Sequence, residues 1–206
     1  MRTKLQGGTV VGFNGHTHVR IRDGVVVWED DRLTFVGKTY AGPVDRTLPA
    51  AARLIMPGLM NLHWHAGVRA NWRLTSAHGD PQFFGAGFPN TEAGRRGVSY
   101  AMSTAEAATA ATLNVVELFS GGCTTLVEVG ASAWLMAQLA AQVERFGVRA
   151  YLGPGYRSAS QYRDADGVIQ DDWDEVAGQQ GLEAACRFIS AHDGQAHGRV
   201  RGLLSP

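Results

Sequence analysis

The residues best suited to chemistry are His63 and His65, which flank Trp64 at the end of the run Leu54-Ile-Met-Pro-Gly-Leu-Met-Asn-Leu62. That run is apolar at nearly every position except Asn61 and reads as a short strand buried on both faces, as in a parallel sheet. Side chains alternate faces along a strand, so His63 and His65 point the same way, with Cα atoms roughly 6.6 Å apart at ~3.3 Å rise per residue. Two imidazoles converging at a strand end can share one divalent cation at ~2.0–2.1 Å from each nitrogen. Trp64 then faces the opposite side, toward whatever layer packs outside the sheet.

A second H-x-H, His16-Thr17-His18, acts as an internal control. It follows Gly15 and leads into Val19-Arg-Ile-Arg22, an alternation that describes a half-exposed strand. Without an apolar run before them, these histidines read as solvated residues at a strand start. His192 and His197, flanking the end of a helical pattern, read the same way.

The order of Pro-Gly turn, apolar strand and H-x-H in Pro57-Gly-Leu-Met-Asn-Leu-His-Trp-His-Ala-Gly67 resembles the first-strand signature of the amidohydrolase superfamily. Within it the nearest likeness is to the branch of cytosine deaminases, guanine deaminases and triazine chlorohydrolases. The resemblance implies a metal-dependent hydrolase built on a (β/α)8 TIM barrel, with a small β-sandwich made from the two ends of the chain. It also implies one divalent metal ion, zinc ahead of iron, that activates water against an electron-poor ring or amide carbon and expels ammonia, an amine or chloride. That branch uses the first-strand pair, two later histidines, an aspartate, and a glutamate that shuttles protons. Only the pair maps here, onto His63 and His65, and the other ligands and the acid/base residue are expected beyond Pro206.

Three further sites carry expectations. Glu128, at the end of the second strand, is read either as a carboxylate that orients a ligand histidine or as a buried acid capping a neighbouring backbone. Arg157, in the loop after the third strand, either reaches the mouth of the site or forms a surface ion pair. Trp72 and Arg73 are candidates for substrate contact in the long, glycine-rich, aperiodic segment from Ala66 to about Met102, which reads as a lid.

The elements that must position these residues follow in order. Residues 1–53 read as part of a small β-sandwich domain, with Asp23-Gly24 as a two-residue hairpin turn and Asp30-Asp31 as the next. Residues 54–206 read as the first four strands and three helices of a truncated barrel. Ser103-Thr-Ala-Glu106 is a capping box opening a helix with a stripe at Ala108, Ala111, Val115, Leu118 and Phe119. Thr124–Val129 is a buried strand. Ser132 caps a helix with a stripe at Leu135, Met136, Leu139, Val143 and Phe146. Val148–Leu152 is the next strand. A third helix is expected from near Asp172, burying Leu182, Ala185, Cys186 and Ile189, and Val200–Leu204 is the last strand. Strands alternating with helices mark parallel βαβ units, an α/β fold.

A (β/α)8 barrel takes about 250 residues and this chain offers it about 150, so the expectation is the amino-terminal half of a longer enzyme. The alternatives are a complete doubly wound four-strand domain and an obligate dimer that closes the barrel. Formal net charge is zero, with no K/R-rich block, no signal-peptide core and no membrane-length apolar run. Cys123 and Cys186 read as reduced, buried residues rather than a disulfide or metal pair. These features point to a cytoplasmic protein with a small-molecule substrate and no nucleic-acid or membrane partner, the full-length enzyme being a homo-oligomer.

The expected function is hydrolysis of non-peptide carbon–nitrogen bonds, specifically deamination of a cyclic amidine or heterocycle. A dechlorinating or amide-cleaving relative and a non-catalytic truncated scaffold are the alternatives. Two histidines are one short of the three protein ligands of a catalytic zinc site. The chain alone is therefore expected to bind metal weakly and to be inactive, with no catalytic residue of its own.

Overall fold

A computed structural model describes residues 1–66, 103–164, 166 and 168–206. The chain divides into two compact units, Met1–Gly58 and Leu59–Pro206.

The first unit is a mixed five-stranded sheet of β1 (Arg2–Phe13), β2 (His18–Glu29), β3 (Arg32–Gly37), β4 (Arg46–Pro49) and β5 (Leu54–Ile55). β1 pairs antiparallel with β2 and parallel with β4 and β5, and β3 closes the other side antiparallel to β2. The β1–β2 hairpin turns at Asn14–Thr17, where Asn14 Oδ1 accepts from the backbone N–H groups of His16 and Thr17. His16 and His18 are both exposed. Asp30-Asp31 is the β2–β3 turn, with Asp30 at φ 52°.

Asp23-Gly24 is not a hairpin turn. β2 runs straight through it, and Asp23 takes φ 48° inside a bulge in which Arg22 and Asp23 oppose the single residue Thr9. One step along, Gly7 at φ 90° is the extra residue on β1, so the two irregularities cancel and the register recovers. A doublet that tolerates positive φ serves a bulge as well as a turn.

Leu54–Ile55 belongs to this first sheet through its pairing with β1, so the division falls at Gly58/Leu59 and not at 53/54. The apolar run around Pro57-Gly58 is thus two strands, and the second is not buried on both faces.

The second unit holds β6 (Leu59–Trp64), β7 (Cys123–Val129), β8 (Arg149–Gly153) and β11 (Val200–Gly202) in an all-parallel sheet of order β11-β8-β7-β6. Between them run α1 (Thr104–Ser120), α2 (Ala133–Phe146) and α3 (Glu175–His192). The α1 capping box forms as its spacing requires, with Ser103 Oγ accepting from Glu106 N–H and Glu106 accepting from Ser103 N–H. Ser132 caps α2, which ends at Gly147 in the left-handed conformation.

One cluster gathers Trp64, Leu126, Ala150, Leu152 and Val200 from alternate strand positions with Ala111 and Val115 of α1, Met136, Leu139 and Val143 of α2, and Phe188 of α3. Among the described residues these three helices therefore pack on the same face of the sheet. Among the described residues β6 pairs with β7 alone, at one edge of this sheet, and its Leu59, Met60 and Leu62 are exposed.

Three expectations for the last third are corrected. Asp171 and Asp172 lie in β10 (Ile169–Trp173), which forms an antiparallel arm with β9 (Ala159–Arg163). The cap of α3 is instead Asp174, whose Oδ1 accepts from Ala177 N–H at 2.8 Å. On α3, Gly178, Ala185 and Phe188 are buried, whereas Leu182 and Cys186 are exposed. The packing face is rotated because Gly178 and Gly181 let the chain at Ser158 and Tyr156 approach closely: a Cβ at Gly181 would lie 2.7 Å from Tyr156 Cβ. Cys123 is half-buried, and both cysteines are free. Among the described residues no helix is long and apolar enough to cross a membrane.

Candidate functional site

β6 ends in the sequence His63-Trp64-His65-Ala66, and alternation divides these four between the two faces of the sheet. Trp64 and Ala66 are buried in the helix-covered layer, while His63 and His65 are exposed. The two rings meet edge to face with centroids 4.8 Å apart, and their Nε2 atoms are 2.9 Å apart. The strand end is braced locally, since Asn61 Oδ1 accepts from His63 N–H at 3.1 Å.

The proton positions follow from the partners. His65 Nδ1 lies 2.9 Å from the carbonyl oxygen of Val129, at the end of β7. A carbonyl can only accept, so Nδ1 carries the hydrogen and a neutral His65 presents a lone pair at Nε2. His63 Nε2 then donates to that lone pair across the 2.9 Å gap. A cation held by both Nε2 atoms would take the place of this one shared hydrogen.

Two nitrogens that each sit ~2.0–2.1 Å from one ion can lie no more than about 4 Å apart. The observed 2.9 Å meets that limit, and imidazole nitrogen suits zinc and iron alike. Among the described residues no cluster of three or more His, Cys, Asp or Glu side chains could hold a metal. Among the described residues the pair therefore stands as two donors.

Glu128 lies on the other face of the sheet. It is fully buried, on the same side of β7 as Leu126, and its Oε2 accepts from Ala66 N–H at 2.6 Å. Its second oxygen, Oε1, has no hydrogen-bond partner among the described residues. Burial raises the carboxyl pKa to about 8, and the Ala66 N–H offsets that only in part. Glu128 makes no hydrogen bond to either imidazole; its bond is to the backbone one residue past His65.

Asn114 was not foreseen as a site residue. It projects from α1 into the same buried region, 2% exposed, and its Nδ2 donates to the Ala66 carbonyl oxygen. Its signal was nevertheless present: an amide sits on the α1 stripe between Ala111 and Val115, where an apolar residue is the norm.

Arg157 is exposed and makes no ion pair with a described residue. With Gly130, Tyr156 and Ser205 it lines a cavity of about 280 Å³ beyond the carboxyl ends of β7, β8 and β11. Gly155 allows the first two of these strand ends to close up, because a Cβ there would lie 2.7 Å from the Gly130 carbonyl oxygen. Trp72 and Arg73, with the whole lid reading, lie outside the described residues.

Comparison with known proteins bears on this arrangement. The profile of the Amidohydrolase family matches residues 54–194. The chain is 29% identical over 203 residues to the 5-methylthioadenosine/S-adenosylhomocysteine deaminase of Natronomonas pharaonis, covering 98% of this chain and 41% of the relative. It is 26% identical over 187 residues to the 5′-deoxyadenosine deaminase of Methanosarcina mazei, covering 90% and 38%. It thus spans about two-fifths of the length of the curated relatives it matches.

Among solved structures it is similar to atrazine chlorohydrolase from Arthrobacter aurescens complexed with zinc, at a TM-score of 0.70 and 20% identity over 98% of this chain and 46% of that one. Guanine deaminase from C. acetobutylicum gives a TM-score of 0.67 at 14% identity, over 100% and 46%. Those two likenesses concern the fold. The profile match spans more than half of the chain and includes the strand that carries both histidines: the chain belongs to the amidohydrolase family.

Proposed function

We propose that this chain supplies the first two metal ligands, His63 and His65, of a hydrolase that deaminates an electron-poor nitrogen heterocycle. The carrying observation is the convergence of the two Nε2 atoms at 2.9 Å at the carboxyl end of a parallel strand. We read the second unit as the first four strands of a (β/α)8 barrel, whose sites lie at that end of the strands. The first unit is read as part of the accompanying β-sandwich.

A divalent ion bound there, zinc ahead of iron, supplies the Lewis acidity that lets water ionise near neutral pH. His63 and His65 would hold it through their ring nitrogens, with the Val129 carbonyl accepting from Nδ1 of His65 and orienting its ring. The net reaction replaces a ring amino group by oxygen: water is consumed and ammonia leaves. The sequence relatives named above deaminate adenosine derivatives, so a 6-aminopurine nucleoside is the substrate class this reading favours. The cavity beside Arg157 lies at the same end of the sheet.

The remaining ligands and the proton-shuttling group come from outside the described residues. With two ligands in place, the chain should bind zinc weakly and release no measurable ammonia from 5′-deoxyadenosine. Zinc titration followed by the ring nitrogen signals of His63 and His65 tests this. Both signals should move together, and His63→Ala should abolish the response at His65. Zinc that leaves both rings unmoved would overturn the assignment, and tight stoichiometric zinc with turnover would overturn the incomplete ligand count.

A further inference from the structure

Two elements converge on a single residue, Ala66, next in sequence to His65. Glu128 of β7 accepts from its N–H at 2.6 Å, and Asn114 of α1 donates to its carbonyl oxygen. Ala66 and Glu128 are 0% exposed and Asn114 is 2% exposed, so neither hydrogen bond competes with water. Burying two polar side chains this deeply is costly unless they are hydrogen-bonded, and the bonds they make go to Ala66 and not to each other. Each makes one hydrogen bond to the backbone that follows the histidine pair.

We propose that Asn114 and Glu128 are positioning residues for the candidate metal pair, acting from the opposite face of the sheet. Gripping the donor and the acceptor of Ala66 fixes the peptide planes on both of its sides. The plane before it carries the carbonyl of His65, so the Cα–Cβ direction of His65 is fixed with it. β7 supplies both the Glu128 grip and the Val129 carbonyl that takes the Nδ1 hydrogen, so backbone and ring are referred to the same strand. Loosening either grip frees the ring to leave Val129, and Nε2 is then no longer held as the unprotonated nitrogen. The inference rests on the metal reading above, but the state of the His65 ring can be read without metal.

The test is long-range proton–nitrogen NMR of the chain, which reports which ring nitrogen of His65 carries hydrogen, with amide exchange at Ala66 and zinc titration alongside. Asn114→Leu and Glu128→Leu remove one grip each at similar side-chain volume, while Glu128→Gln keeps an acceptor for the Ala66 N–H. In the wild type, His65 should be the Nδ1–H form and the Ala66 amide strongly protected. Both leucine variants should give a mixture of His65 forms and lose about 10–100-fold in zinc affinity, as removal of an outer support to a metal ligand does. Glu128→Gln should restore the wild-type ring signal.

Folded leucine variants with a wild-type His65 signal and wild-type zinc affinity would overturn the proposal. Should they fail to fold, an unprotected Ala66 amide in the wild type overturns it without any variant. A wild type that binds no zinc would sink the metal reading, and the ring signal and amide exchange would still decide whether the grip exists.

Discussion

Replacing Glu128 by glutamine should flatten the dependence of stability on pH. The carboxyl has a pKa of about 8 in the folded chain against an ordinary 4.5, because burial penalises the charged form. A group whose folded pKa is raised holds its proton in the folded state over a range where the unfolded chain has released it. Stability that depends on that proton is fully present below the unfolded value and declines as pH rises through the folded one. The window therefore runs from about pH 4.5 to about pH 8. Its slope approaches about 1.4 kcal/mol per pH unit, so the loss across it is on the order of 5 kcal/mol.

Glutamine keeps an oxygen to accept from Ala66 N–H and has no proton to lose in that range. Urea unfolding followed by far-ultraviolet circular dichroism at pH 5, 6, 7 and 8.5 measures both chains. The expected result is a wild-type stability that falls with pH relative to the variant, the two diverging most above pH 8. The charged wild-type group leaves Oε1 without a donor, so the variant should be the more stable at that end. Parallel profiles from pH 5 to 8.5 would refute the reasoning: Glu128 would then have the same proton affinity folded and unfolded, and the burial argument would be wrong.

Three other substitutions test the packing that carries the site. Met136 is fully buried between α2 and the sheet, so Met136→Ala should cost about 2–5 kcal/mol in urea unfolding. Gly155→Ala puts a methyl 2.7 Å from the Gly130 carbonyl oxygen, backbone that cannot swing aside. It should cost about 1–3 kcal/mol and shift the NMR signals of residues lining the Arg157 cavity. Ser103→Ala removes one half of the α1 capping box and should cost about 1 kcal/mol, read as a lower thermal midpoint with the helix otherwise intact.

What could be read from the sequence was whatever depends on neighbours in the chain. The α1 capping box, the α2 stripe and the Asp30-Asp31 turn are decided by residues within a few positions of one another, and each forms where its spacing puts it. Asp23-Gly24 was misread because its conformational licence is the same in a bulge and in a hairpin; only the long partner strand β1 decides between them. Asp172 was misread as a helix start because nothing local distinguishes it from Asp174, and pairing with β9 takes it into an arm. The rotated face of α3 depends on a loop packed against two glycines, which no helical periodicity reveals.

The site divides along the same line. That His63 and His65 share a face follows from strand alternation, a property of three consecutive residues. The hydrogen bonds around them are non-local: the carbonyl of Val129 is 64 positions from His65, and Asn114 is 48 from Ala66. Alternation also explains why support and chemistry do not collide. A strand that turns His63 and His65 toward the open face must turn Trp64 and Ala66 toward the helices, and there a buried carboxylate and a buried amide can grip the backbone without a hydrogen bond to either imidazole. Glu128 was weighed as an orienter of a histidine or as a cap on a neighbouring backbone. The structure shows the cap: its Oε2 accepts from the N–H of Ala66, the residue after His65.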